Sequence, residues 1–333
     1  MKAKKTKYLT TWLYSGLVLI AFMVIIGGIT RLTQSGLSIV EWKPIHGVIP
    51  PLNDAEWQEE FAKYQQFPEY QKINKGMELS EFKMIFFWEY LHRLLGRLIG
   101  LVFIFPFVFF WMKKWFNQKQ KKQLLLLLFL GGFQGFLGWF MVKSGLIDRP
   151  HVSHFRLAIH LLTAFGLMCY IYWLIMSFNA VPKKENTKIH KLSKWFIVVL
   201  ITQIIYGAFV AGLKAGYFLD TNDTIIKQIA GYNFRNTNDF SLLYNALDIQ
   251  AFHRIFAWVV FIVALIIYKK SRNTNLKGTS TLLLGLVLVQ ISLGIATLLL
   301  RVHLHTAVTH QLVAILVLLT GVRLFYLSGK LKA

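Results

Sequence analysis

The sequence predicts an all-α integral membrane protein, with eight transmembrane helices built as two tandem four-helix bundles related by a pseudo-two-fold axis along the membrane normal. Three observations carry this. Of the 333 residues, 55% are hydrophobic and 16% charged, more apolar surface than a soluble domain of this length needs. Apolar runs of about 20 residues, the length that crosses a bilayer, recur eight times. They fall at roughly 10–30, 84–112, 122–142, 155–178, 193–213, 249–269, 279–300 and 306–328. Lysine and arginine, finally, crowd alternate connections.

Taken in order, span one follows a short lysine-rich lead with no small-residue cleavage site, so it reads as a retained helix rather than a removed signal peptide. It carries Gly27-Gly28. A long segment, Arg31 to Lys83, leads to span two, which holds Glu89-Tyr-Leu-His92-Arg93. Span three carries Gln134-x-x-x-Gly138 and span four opens through Arg156 to His160. Span five has Gln203-x-x-x-Gly207. A second long segment, Lys214 to Asp248, is polar and asparagine-rich, and span six follows with Gln250-Ala-Phe-His253-Arg254. Span seven has Gln290-x-x-x-Gly294 and span eight carries His310. Loops as long as these two over a membrane bundle serve as lids, docking surfaces or linkers.

The net charge of +22 is concentrated in Lys2–Lys7, Lys113–Lys122, Lys183–Lys194, Lys269–Lys277 and Arg323–Lys332, and of the 15 acidic residues only Glu185 lies among them. These are the termini and the even-numbered connections, all on one side. The pattern is positive-inside and puts both termini in the cytoplasm. A nucleic-acid surface would instead gather its charge on one soluble face, so no nucleic-acid partner is expected. The lead leaves no room for a mitochondrial transit segment, and a bacterial cytoplasmic membrane is the expected location. The only cysteine, Cys169, rules out an intramolecular disulfide and chemistry by a cysteine pair.

The matching pieces of spans one to four and five to eight divide the chain at 1–180 and 181–333. Four spans return the chain to its starting side, so the copies run parallel. The Gln-x-x-x-Gly pairs are read as ordinary close packing between membrane helices.

His92, His160, His253 and His310 lie on the even spans, all within about 6–12 Å of the outer boundary at 1.5 Å per residue. A histidine inside a membrane needs a partner. Four at matching depth, two per repeat, point to metal ligation: His92 with His160, and His253 with His310. Two imidazoles on either side of a planar macrocycle satisfy iron axially, and bundle cores hold such cofactors. Arg93, Arg97 and Arg254 stand beside these positions, where guanidinium groups suit haem propionates. His151, His154, His303 and His305 fall in short outer turns, where solvent satisfies them.

The halves differ at one position. Glu89 precedes His92 by three residues, while Gln250 precedes His253 by three. An intramembrane carboxyl is a functional candidate, here a proton donor or acceptor beside a bound cofactor. Its structural alternative is an ion pair with Arg93 or Arg97. The first half is therefore expected to do chemistry and the second to hold a cofactor.

These stretches resemble the haem A synthase family, in its branch without paired outer cysteines. The resemblance rests on Gly27-Gly-Ile-Thr-Arg31-Leu-Thr-Gln-Ser-Gly-Leu-Ser, Glu41-Trp-Lys-Pro, Glu81-Phe-Lys-Met-Ile-Phe, Glu89-Tyr-Leu-His92-Arg93, Gln134-Gly-Phe-Leu-Gly-Trp-Phe-Met-Val-Lys-Ser-Gly, Arg156-Leu-Ala-Ile-His160, Gly207-Ala-Phe-Val-Ala-Gly-Leu and Thr309-His310-Gln311. It covers nearly the whole chain. It implies oxidation of the C8 methyl of haem O to a formyl group, giving haem A for terminal oxidases. The family's first histidine pair, associated with the substrate haem, falls on His92 and His160. Its second, holding an iron-containing haem b that passes electrons, falls on His253 and His310, and its essential glutamate on Glu89. Haem O synthase, oxidase assembly factors and an electron acceptor are the implied partners. The chain departs from the family at Arg301-Val-His303-Leu-His305-Thr, where prolines are usual, and after Gly212-Leu-Lys-Ala-Gly216. Two other readings compete: a non-catalytic di-haem membrane cytochrome b that carries electrons, and a transporter with a histidine proton relay.

Overall fold

The computed structural model describes residues 2–41, 46–147, 150–218 and 240–330. Among them, every regular element is helical. Eight helices are long and apolar enough to cross a membrane. They are labelled α1 (Lys2–Leu32), α2 (Leu79–Met112), α3 (Gln118–Lys143), α4 (His154–Phe178), α5 (Thr187–Gly212), α6 (Ala246–Ser271), α7 (Lys277–Leu299) and α8 (Leu304–Ser328). The chain is a multi-pass membrane protein. Four of the helices are extended at their N-termini by polar caps. Glu78 and Glu81 form a reciprocal capping box before α2, and Asn117 with Gln120 does the same before α3. Asn186 and Asn245 accept N–H groups of the first turns of α5 and α6.

The chain divides into two compact units, Met1–Leu167 and Met168–Ala333. In the first unit α1 packs along α2. The Trp12 indole N–H donates to the Val102 carbonyl at 2.9 Å, and its ring meets Phe103 and Phe110. In the second unit α5 packs on α6 and α8, and α7 on α6 and α8, a closed ring of four helices.

The segment after α1 is not a plain linker. It carries two short helices, Asp54–Tyr64 and Pro68–Lys72, that the sequence reading left unassigned. Asn53 caps the first through the Glu56 N–H, and Pro68 starts the second at a position where a missing N–H costs nothing. Both are held by an aromatic cluster, Phe61, Tyr64, Phe82 and Phe86, that joins them to the first turns of α2. Trp57 meets Phe86 edge-on at 5.0 Å. Tyr64 is fully buried, takes an N–H bond from Asn74 at 2.7 Å and donates to Glu69 at 3.2 Å. Burial, with Glu69 beside it, holds its phenol above the ordinary range. Lys63 is held above its ordinary value by its hydrogen bond to Glu59, with Glu60 and Glu41 adding to the effect against a smaller cost of burial. Trp42, Lys43, Pro44 and most of the second long segment, 219–239, lie outside the described residues.

Candidate functional site

Each candidate histidine is set into a helix hairpin in the same way. An even helix brings its histidine against a glycine of the helix before it. A Cβ added at Gly27 would lie 2.9 Å from His92 Cε1; at Gly138, 3.1 Å from His160; at Gly207, 3.0 Å from His253; at Gly294, 3.1 Å from His310. Only a residue without a side chain lets the ring sit this close to the neighbouring backbone. The four-helix repeat read from the sequence is thus a repeat of the hairpin α1–α2, seen again in α3–α4, α5–α6 and α7–α8.

The glutamines read as plain packing residues have a more particular place. The Gln134 amide donates to the His160 carbonyl at 2.9 Å and lies 3.2 Å from its Nδ1, and Thr163 donates both to that carbonyl and to the amide oxygen. Gln203 donates to the His253 carbonyl at 2.9 Å and lies 3.5 Å from a ring nitrogen. Gln290 lies 3.2 Å from a ring nitrogen of His310. Each stands one helical turn before the glycine that receives the ring. The signal was the fixed offset, Gln-x-x-x-Gly, in three odd spans.

All four rings are half-buried. His92 lies within electrostatic reach of His160, and His253 of His310. The Nδ1 atoms of His92, His253 and His310 are buried without a hydrogen-bond partner among the described residues. No group of three or more His, Cys, Asp or Glu side chains among those residues is placed to hold a metal ion. Two imidazoles per site, with ring nitrogens left over, suit iron that arrives in a macrocycle carrying its own equatorial nitrogens. On the donor set, haem fits both units.

Glu89 is buried, and its carboxylate turns toward the segment that follows α1. Oε2 accepts from the Ser38 hydroxyl and the Ile39 N–H, both at 2.8 Å, and Oε1 pairs with Arg93 at 2.6 Å. Of the two ion pairs considered from the sequence, the one with Arg93 is present. Arg93 also donates to the carbonyls of Ile39 (2.8 Å) and Glu41 (3.1 Å), so the two side chains together pin the turn to α2. Ser38 is the residue of this site that the sequence reading passed over. In the second unit Gln250, also buried, donates to the Ala215 carbonyl at 3.0 Å in the turn after α5. Both turns carry a left-handed residue two places past the helix end, Gln34 (φ 54°) and Lys214 (φ 54°). The amide therefore does for one turn what the carboxylate does for the other, without charge.

Arg93 and Arg97 line a cavity of about 380 Å³ beneath the helix Asp54–Tyr64, with Tyr90 and Phe86 on its wall and Glu41, Glu56, Glu59 and Glu60 around it. Arg254 lies within electrostatic reach of His253, as Arg93 does of His92. Of the turn histidines, His303 and His305 are exposed, their rings 5.3 Å apart.

Residues 10–322 match the family model described as cytochrome oxidase assembly protein, COX15-CtaA. The chain is 43% identical to a protein named haem A synthase from Flavobacterium johnsoniae, over 95% of this chain and 96% of the relative. It is 42% identical to proteins of the same name from Brucella suis and Brucella ovis, in each case over 92% of this chain and 88% of the relative.

Proposed function

The chain belongs to the COX15-CtaA family of cytochrome oxidase assembly proteins, whose named relatives are haem A synthases, and from that premise we propose how its two units divide the work. The protein is a membrane oxidoreductase that converts haem O to haem A, oxidising the C8 methyl to a formyl group for oxidase assembly. The first unit binds the substrate haem O between His92 and His160. The second holds a haem b between His253 and His310. When bound, that group supplies one-electron redox chemistry, with histidine ligation and burial setting its potential.

The observation that carries this division is the unequal pair Glu89 and Gln250. Both side chains do the same structural task, and only the one beside the first histidine pair can take up a proton. Taking a methyl group to a formyl group exchanges two hydrogens for an oxygen atom from water or dioxygen. It gives up four electrons to an electron acceptor while protons are released, so the site needs a base with an outlet. Glu89 accepts the proton at a carboxylate oxygen. Arg93 and the Ser38 hydroxyl hold that carboxylate in one orientation, and Arg93 also lines the neighbouring cavity. Arg97 and Arg254 bind propionates. Arg93, already committed to Glu89 and two carbonyls, is the lesser contact of the three. The termini lie in the cytoplasm of a bacterial cell, and the His-bearing ends of the even helices face outward across its inner membrane.

Co-expression with a haem O synthase, followed by chromatography of the extracted haems, tests the reading. Haem A is expected. Unchanged haem O beside a bound haem b would leave a di-haem electron carrier, and a purified protein with no haem absorption would leave a proton relay.

A further inference from the structure

The second unit has a cavity of about 400 Å³ at the end away from its histidines, between the last turns of α4 and α8 and the first turns of α7. Arg323, on its wall, follows His310 by 13 residues of α8, about 20 Å along the helix, so the cavity is separate from the haem site. Its lining changes character with depth. Along α8 the polar pair Thr320 and Arg323 lies nearer the helix end, and Leu316 lies one turn deeper. Along α7 Thr279 is in the first turn, and Leu282 is one turn deeper.

Thr320 is the informative side chain. It is only 8% exposed, and its hydroxyl has no hydrogen-bond partner among the described residues. Helical threonines elsewhere return the hydroxyl to the carbonyl four residues back, as Thr30, Thr163 and Thr297 do. A buried hydroxyl without a partner is costly, so one that lines a cavity marks a place for a polar group from outside. The Thr279 hydroxyl is also unpaired. Arg323 donates one N–H to the Tyr172 hydroxyl at 3.0 Å and pairs with no carboxylate among the described residues, which leaves most of its five donors unused. A guanidinium and two hydroxyls on one wall suit the oxygens of a phosphate.

We propose that this cavity binds an anionic phospholipid, its phosphate held by Arg323, Thr279 and Thr320 and an acyl chain lying along Leu282 and Leu316. A free phosphate would leave those two leucines, 54% and 43% exposed, uncovered. The charge of the headgroup follows from the surroundings. The cavity opens beside the basic connection Lys269–Lys277 and the basic tail, and of the 15 acidic residues only Glu185 lies among the basic segments of the chain. An ammonium-bearing headgroup would meet like charge there, whereas an anionic one is attracted.

The test uses the full-length protein with its haem, purified in detergent. It is titrated with phosphatidylglycerol or with phosphatidylcholine of the same acyl chains, and bound lipid is counted by native mass spectrometry. One phosphatidylglycerol binds per chain, more tightly than phosphatidylcholine. Arg323→Gln and Thr320→Val each weaken phosphatidylglycerol binding by roughly 10- to 150-fold and leave haem content unchanged. Thr281→Val, whose hydroxyl bonds the Lys277 carbonyl outside the cavity, changes nothing in the lipid titration. Thr320→Val decides the matter if Arg323→Gln does not accumulate. Free of lipid it should melt no lower than the unsubstituted protein, because its hydroxyl has no partner to lose. Equal binding of the two lipids, or phosphatidylglycerol binding unaltered by Thr320→Val, overturns the proposal. So does inorganic phosphate that binds at Arg323 where phosphatidylglycerol does not, or a lipid-free dimer that Arg323→Gln dissociates.

Discussion

Replacing Gly207 by alanine should expel or distort the second-unit haem while leaving the helix itself intact. The new Cβ would lie 3.0 Å from His253 Cε1. Carbon atoms rest at about 3.5–4.0 Å, so the ring must retreat by about 0.5–1.0 Å. It cannot do so freely, because the His253 carbonyl is tied to Gln203 at 2.9 Å. Crowding a packed site in this way costs about 1–3 kcal/mol. If the crowding acts on the ligand position, that converts to roughly a 5- to 150-fold loss of haem affinity, at tenfold per 1.4 kcal/mol. The helix, by contrast, gains about 0.5–1 kcal/mol from losing a glycine. Haem content per protein and the Soret spectrum of the purified variant read the effect. Gly285→Ala is the control, since nothing lies within 4 Å of a Cβ there. A Gly207→Ala protein with full haem content and an unshifted spectrum, indistinguishable from Gly285→Ala, would refute the argument that the glycine exists to seat the ring.

Ser38→Ala removes a hydroxyl donor to a charged carboxylate, worth about 1.5–3 kcal/mol, so haem A formation should fall by roughly 10- to 150-fold with haem content preserved. A turnover equal to that of the unsubstituted protein would show that Glu89 does not depend on this bond. Phe82→Ala deletes a fully buried ring at the centre of the aromatic cluster and should cost about 3–5 kcal/mol locally, freeing the helix Asp54–Tyr64 to limited proteolysis. The same helix should loosen in alkali. Tyr64 and Lys63 have folded-state values raised above their ordinary 10.0 and 10.5, so their contribution is complete below about pH 10 and is lost as pH climbs through the folded values. Proteolytic release of residues 54–64 should therefore rise above pH 10 and stay flat from pH 7 to about pH 9; a flat profile through pH 11 would contradict it.

The eight spanning helices were legible because apolar length is a local property, and several of them start before their apolar runs where polar caps such as Glu78 and Asn186 extend them. The four histidines were legible too, as costly residues at matching places. What their neighbours do was less so. Gln-x-x-x-Gly describes any close helix contact, and only the hairpin geometry brings Gln134 to the His160 carbonyl. The direction of the Glu89 carboxylate was likewise hidden. Three residues of helical spacing put it near the face of His92, yet its partners Ser38 and Ile39 lie about fifty positions away, on a turn whose return to α2 no local pattern announces. The helices Asp54–Tyr64 and Pro68–Lys72 did leave signals, Asn53-x-x-Glu56 and Pro68 at a first turn, but these are short-range marks inside a segment whose burial depends on Phe82 and Phe86 from another helix.

The central claim is that charge at Glu89, and not its shape, separates a reacting site from a holding site. Glu89→Gln keeps a side chain able to bond the turn, as Gln250 does at the Ala215 carbonyl. With haem O synthase co-expressed, the extracted haems of this variant should contain haem O and haem b and no haem A, while the spectrum of the second-unit haem is unchanged. Haem A formed at the rate of the unsubstituted protein would contradict the account.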